Sequence, residues 1–268
     1  MTKPKIVFLT GAGISQESNI PTFRDSKDGL WEHHKIEDVA SRAGFYKNPK
    51  LVNDFYNQRR LNVKEAVPNA AHLAIAALEE KYEVVIITQN VDDLHERAGS
   101  NKENIIHLHG SLFSMICKGK EHSCGHEFSF DEEWTHGRPC PSCGRTGSVR
   151  PKIVWFGESL DTNDYSWAVY HCETADLFVQ VGTSAEVAPA NILIHNVPFD
   201  RRVEINLESS DTYKGPTEFE SEWRDPVSNK KTFSHYFLGK ATEQVPLFAS
   251  KLDDIIANLP KKRSRYTV

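Results

Sequence analysis

The run Ile6-Val7-Phe8-Leu9 passes directly into Thr10-Gly11-Ala12-Gly13-Ile14-Ser15, and this stretch constrains the rest of the chain most. Four successive apolar residues, rich in β-branched and aromatic types, predict a buried strand. The glycines that follow permit positive φ and let a ligand approach bare backbone. Ser15 to Ser18 predicts the start of a helix, whose free N–H groups and dipole favour a phosphate. The stretch therefore has the chemistry of a pyrophosphate cradle, though an ordinary glycine turn between strand and helix is spelled the same way. It is not the full G-x-G-x-x-G fingerprint, because Gln16 stands in the place of the third glycine.

Further along, the pattern alternates between helix and strand. Pro21-Thr22-Phe23-Arg24-Asp25-Ser26 and Gly29-Leu30-Trp31 carry turn chemistry and predict a loop. Arg24 there could reach a carboxylate or phosphate, or be a plain surface arginine. Residues 50–66 predict an amphipathic helix with Leu51, Phe55, Leu61 and Val63 on its apolar face, ended by Pro68. Asn69 is a cap for a second helix over 70–81. Glu83-Val84-Val85-Ile86-Ile87-Thr88 has the continuous β-branched character of a strand buried on both faces of a parallel sheet. Further strands are expected at 105–110, in the strand-and-turn segment 151–158, at 177–181 and at 202–207, and helices at 165–174 and 243–259. Ser209 to Thr232 is polar and aperiodic and is expected to be an excursion.

Such alternation predicts an α/β fold, a Rossmann-type parallel sheet with helices on both faces. Polar residues cluster after at least four strands: 11–15, 89–92, 182–184 and 206–208. In a parallel sheet these would share one edge, where dinucleotides bind.

Cys117, Cys124, Cys140 and Cys143 lie in one short segment. The second pair is C-x-x-C and the first is wider, with His122 and His126 as rival ligands for that knuckle. Four thiolates on two knuckles predict one closed, structural zinc site with no role in the chemistry. A disulfide framework is disfavoured in a cytoplasmic chain, and Cys172 is expected in the core. A net charge of -5 argues against a general nucleic-acid binder. No apolar run reaches membrane-spanning length, and Ile6 to Leu9 is too short for a signal peptide's apolar region. The expected compartment is the cytoplasm.

Several segments then combine in a recognisable order. They are Gly11-Ala12-Gly13-Ile14-Ser15, Pro21-Thr22-Phe23-Arg24, Thr88-Gln89-Asn90-Val91-Asp92 with Leu94-His95, His109-Gly110, Val154-Trp155-Phe156-Gly157-Glu158 and Gly182-Thr183-Ser184. Together they resemble the sirtuins, NAD-dependent protein-lysine deacylases. The wider first cysteine pair and the longer segment 209–232 depart from the family's pattern.

The resemblance implies a Rossmann core over about 1–28, 69–112 and 151–260, with a smaller lobe made of a helical part over about 29–68 and a zinc module over about 113–150. Residues 261–268 form a basic tail. NAD and an acylated lysine of a protein substrate would meet between the lobes, giving nicotinamide, free lysine and O-acyl-ADP-ribose. His109 would be the general base, suited by a pKa near neutrality, with Asn90 beside it. Gly11, Ala12, Gly13, Ser15, Phe23, Arg24, Gln89, Asn90, Asp92, Gly182, Thr183, Ser184, Asn206 and Glu208 would contact NAD. Val154, Trp155, Phe156 and Gly157 would pair with substrate backbone. Tyr56 and Arg59, three residues apart on one helix face, resemble the floor of the acyl pocket in sirtuins that remove succinyl and malonyl groups. An NAD glycohydrolase or ADP-ribosyl transferase, or an NAD-sensing module without turnover, are the alternatives.

Overall fold

The computed structural model describes residues 3–21, 35–183, 190–209 and 232–260. Its centre is strand β1 (Lys5–Thr10), in which Ile6, Val7, Phe8 and Leu9 have no exposed surface. Each such side chain contributes about 1.5–3 kcal/mol on burial, so this strand is anchored from both faces. Strands β2 (Glu83–Thr88) and β3 (Ile105–His107) lie on one side of it. The antiparallel trio β4 (Gly110–Cys117), β5 (Glu127–Ser129) and β6 (Val149–Ile153) forms a separate small sheet. Strands β7 (Leu177–Val181), β8 (Arg202–Asn206) and β9 (His235–Leu238) complete the large one.

The large sheet runs β3-β2-β1-β7-β8-β9 with every pairing parallel. That is the Rossmann order, and it reverses direction between β1 and β7, where such sheets hold ligands. Ile6 and Phe8 pack into one core with helices α4 (Ala70–Leu78) and α7 (Ala241–Ala257), Val7 and Leu9 into another with α6 (Thr162–Thr174). Helices α1 (Ile36–Val39), α2 (Arg42–Lys47) and α3 (Pro49–Glu65) form a third core with Leu112, Ile153 and Trp155. The remaining helix, α5 (Leu94–Arg97), is a single turn after β2.

Local chemistry explains most boundaries. The Asn48 side chain accepts from Leu51 N–H and Pro49 opens α3, where its missing N–H costs nothing. Asn69 and His72 form a reciprocal capping box at α4. Asp161 accepts from the amides of Asn163 and Asp164, which starts α6 three residues earlier than the apolar pattern suggests. The apolar face expected of α3 is shifted: Val52, Phe55, Tyr56 and Val63 are buried, while Leu61 is exposed. The helix expected at Ser15 is instead two single 3-10 turns, Ala12–Ile14 and Gln16–Ser18, closed by Asn19 at φ 61. Helices α1 and α2, strands β4 and β5 and strand β9 had no predicted counterpart, while β6 overlaps the strand expected from Pro151. Of the excursion at 209–232, residues 210–231 lie outside the described residues.

Candidate active site

The glycine turn after β1 is pressed against the turn after β7. Gly11 donates its N–H to Val181 O at 3.0 Å and Gly13 to Gly182 O at 2.8 Å. A Cβ on Gly13 would lie 2.8 Å from Gly182 Cα, and Gly182 itself has φ +59. These glycines are therefore required chiefly for loop-to-loop contact. The turn does not open an α-helix: two of its amides are spent on Val181 and Gly182, and residues 12–18 form two 3-10 turns instead.

Side chains supply the polarity instead. Asn90 Nδ2 donates to Gly11 O at 3.2 Å and to Ser15 Oγ at 3.1 Å. Ser15 Oγ in turn donates to Asp92 Oδ2 at 3.0 Å. Gln89 Nε2 donates to Thr183 Oγ1 at 3.1 Å, and Asn206 Nδ2 to Thr183 O at 3.0 Å. The ends of β1, β2, β7 and β8 are thus stitched into one polar edge. Burial pushes the Asp92 carboxyl upward against the bonds from Leu94 N–H and Ser15. Ala12 sits half-buried in the first turn and Glu208 is exposed beyond β8. Phe23, Arg24 and Ser184 lie outside the described residues.

His109 lies between the end of β3 and the start of β4. Its Nδ1 is 2.9 Å from Gln89 O, and a carbonyl can only accept, so Nδ1 carries the hydrogen. In the neutral ring Nε2 then holds a lone pair. Burial lowers the pKa of His109 below the ordinary 6.5, against the bond to Gln89, so the neutral form prevails at neutral pH. The arrangement is that of a general base with a fixed tautomer.

The segment 154–157 runs alongside. Val154 donates its N–H to His109 O at 3.0 Å and Phe156 to Ala40 O at 3.2 Å. Trp155 N–H goes to Glu158 Oε2 at 3.1 Å. Three of the amides expected to pair with substrate are thus engaged within the chain. The Phe156 side chain is exposed and Gly157 has φ +79. Tyr56, on α3, is buried, and its oxygen accepts from Trp155 Nε1 at 2.9 Å. Arg59, one turn on, stacks over the Phe55 ring with its Cζ 4.6 Å from the centroid. Burial raises the Tyr56 phenol to about 12, while the nearby Arg59 charge pulls the other way.

The cysteines converge at the far end of the small sheet. Cys117 and Cys143 sulfurs are 3.9 Å apart, Cys124 and Cys140 sulfurs 3.8 Å. A tetrahedral zinc with bonds of about 2.3 Å needs sulfur–sulfur edges of about 3.8 Å. The donor set fits that ion. His122 also brings a ring nitrogen within 4.8 Å of Cys117, Cys124 and Cys143.

The Sir2 family model matches residues 11–189. A protein from Bdellovibrio bacteriovorus called NAD-dependent protein deacylase is 41% identical over 250 residues, covering 92% of this chain and 95% of its own. One of the same name from Escherichia coli K12 is 40% identical over 259 residues, covering 94% and 83%. This chain belongs to the Sir2 family. Among solved structures, a Sir2 homolog–NAD complex superposes with a TM-score of 0.76 at 37% identity, covering 95% of this chain and 91% of that one. A Sir2 protein bound to acetylated peptide gives 0.70 at 27% identity, covering 94% of each.

The sequence alone assigned no role to some residues of this Sir2 site. Thr10 and Thr88 pair across β1 and β2, with hydroxyls 2.9 Å apart, and Thr88 Oγ1 accepts the Asn90 N–H at 3.0 Å. His107 reaches Asn90 O at 3.3 Å and Glu96 at 2.7 Å. Arg150, buried beneath Trp155, forms two bonds to Glu158 at 2.7 and 3.0 Å. Polar residues at adjacent strand ends were the signal available for the threonines. Nothing in the local sequence of Arg150 foretold its partner.

Proposed function

We propose that this chain removes succinyl and malonyl groups, as well as acetyl, from protein lysines at the expense of NAD, with His109 as general base. The general reaction, NAD-dependent protein deacylation, is that of the family. When bound, NAD would supply the ADP-ribose that accepts the acyl group. Gly11, Ala12, Gly13, Ser15, Gln89, Asn90, Asp92, Thr183 and Asn206 would hold it along the polar edge between β1 and β7, with Phe23, Arg24, Ser184 and Glu208 as further contacts. The fit rests on that edge's chemistry: amide and hydroxyl side chains, already fixed by one another, at the point where strand order reverses. His109 Nε2 takes a proton from a hydroxyl presented in the cleft. Val154, Trp155, Phe156 and Gly157 orient the substrate main chain. We further read the helices of 29–68 and the zinc module of 113–150 as one smaller lobe, and the compartment as cytoplasmic, in keeping with five free cysteines. No helix among the described residues is long and apolar enough to cross a membrane.

The acyl preference is carried by Tyr56 and Arg59. Because the indole N–H of Trp155 can only donate, the Tyr56 oxygen accepts it and its own O–H is left to donate. Arg59, on the same helix face, adds a fixed positive charge with fork geometry. Together they suit a carboxylate at the end of an acyl chain, which an acetyl group lacks. A hydrogen bond to a charged group is worth about 1.5–3 kcal/mol, or roughly ten- to a hundredfold. Arg59→Met should therefore cost succinyl-lysine kcat/KM about that factor and spare acetyl-lysine. Competition between matched acetyl and succinyl peptides tests this. An equal fall on both would make Arg59 structural, and nicotinamide release without acyl-peptide would point to a glycohydrolase.

A further inference from the structure

We propose that Trp155 is a positioning residue for acidic-acyl specificity, and that the buried Arg150–Glu158 pair holds it in that role. The inference rests on the Tyr56/Arg59 reading above. Its observations are separate from that reading. Trp155 has almost no exposed surface, so its side chain acts through its neighbours. Its indole lies under the Arg150 guanidinium, whose Cζ is 4.0 Å from the ring centroid. Phe45 packs on it at 5.6 Å between centroids, and the Tyr56 ring stacks at 6.3 Å and 26°.

Glu158 fixes the same residue from behind. One carboxylate oxygen accepts from Arg150 and, at 2.7 Å, from Arg42 Nε. The other accepts from Arg150 and from the Trp155 main-chain N–H. Arg150 also donates to Ile153 O at 3.0 Å, which ties the end of β6 to the same cluster. Both charged side chains of the Arg150–Glu158 pair are buried. Breaking a buried pair by removing one partner is costly, so Arg150 and Glu158 hold each other in place. That constraint passes from Glu158 to the Trp155 backbone and indole, and from the indole N–H to the Tyr56 oxygen.

The consequence is directional. A phenol whose oxygen already accepts one hydrogen bond presents its O–H as a polarised donor, since bonds in series strengthen one another. Without the indole N–H, Tyr56 could turn its hydroxyl or accept from a ligand, and its selectivity for a carboxylate would weaken. Trp155 would thus decide which acyl groups the pocket prefers without touching them.

Trp155→Phe deletes the N–H and retains an aromatic ring. It should raise KM for succinyl-lysine peptide about two- to tenfold more than KM for acetyl-lysine peptide, the range for one neutral hydrogen bond. The succinyl kcat should change less than its KM, because the bond is made to bound substrate and transition state alike. Glu158→Gln keeps the shape of the clamp and should move the ratio in the same direction by a smaller factor, so the proposal stays testable if Trp155→Phe does not fold. Parallel losses on both acyl peptides, or no change in the ratio, would overturn it. Arg59→Met measured alongside separates the two layers. If it collapses the succinyl preference while Trp155→Phe and Glu158→Gln leave the ratio alone, only the positioning role fails. If Arg59→Met also leaves the ratio alone, the acidic-acyl reading has failed and the positioning role falls with it.

Discussion

Replacing His109 by alanine removes a lone pair that the fold keeps ready at Nε2. The bond from Nδ1–H to Gln89 O selects the tautomer, and burial lowers the pKa from 6.5. At pH 7.5 nearly every molecule therefore carries the base form, and wild-type rate is not limited by protonation. General-base catalysis contributes about 10²–10⁴, equivalent to roughly 2.7–5.5 kcal/mol of barrier. His109→Ala should lose that factor in kcat with acyl-peptide and saturating NAD. NAD affinity, read by calorimetry, should hold, because the Gly11–Ser15 turn is braced by Asn90 and Gly182 and not by His109. The acid limb of the wild-type profile follows the same logic. A base whose pKa is lowered places the midpoint of the acid limb below 6.5. Near-normal turnover by His109→Ala, or an acid limb centred above 6.5, would refute the reasoning.

Gly13→Ala places a Cβ 2.8 Å from Gly182 backbone, and overpacking of this kind costs about 1–3 kcal/mol; the NAD-induced rise in Tm should shrink while far-UV circular dichroism is kept. Metal analysis should find one zinc per chain, and a chelator should red-shift the fluorescence of Trp134, which is buried with Cys117 and Cys140; a full-length chain with less than about half an equivalent would contradict the site. Burial lowers His72 to about 4, so the unfolded chain binds more protons between that value and 6.5 and stability falls as pH drops through this window. The loss is about 3 kcal/mol at 1.36 kcal/mol per unit, and denaturant midpoints of His72→Gln should show a shallower pH slope there.

Much of this architecture can be read directly from residue types. Ile6–Leu9, Val84–Ile87 and Leu177–Val179 are continuous apolar runs because the strands they form are covered on both faces. Polar residues at their C-terminal ends then had to share an edge, and Ser15, Asn90, Asp92 and Thr183 do so. The helix expected at Ser15 was wrong for a tertiary reason: Gly11 bonds to Val181 at the end of β7 and Gly13 to Gly182 just beyond it, which local spacing cannot express. Strands β4 and β5 were hidden because their burial alternates irregularly, with a register shift between Gly110 and Met115. Helices α1 and α2 are too short for periodicity to show. In the clamp around Trp155 the bond to Tyr56 spans 99 positions and the Arg42–Glu158 bond 116, and only the fold brings these residues together.

We propose that a single site consumes NAD to lift acidic acyl groups from lysine. Mass spectrometry of succinyl-, malonyl- and acetyl-lysine forms of one peptide, incubated with the protein and with or without NAD, tests it most directly. The account predicts NAD-dependent free-lysine peptide from all three, with nicotinamide and the matching O-acyl-ADP-ribose in equal amounts, and succinyl and malonyl forms consumed at least as fast as acetyl. Turnover of the acetyl form alone, or nicotinamide released at the same rate without any acyl-peptide, would contradict it.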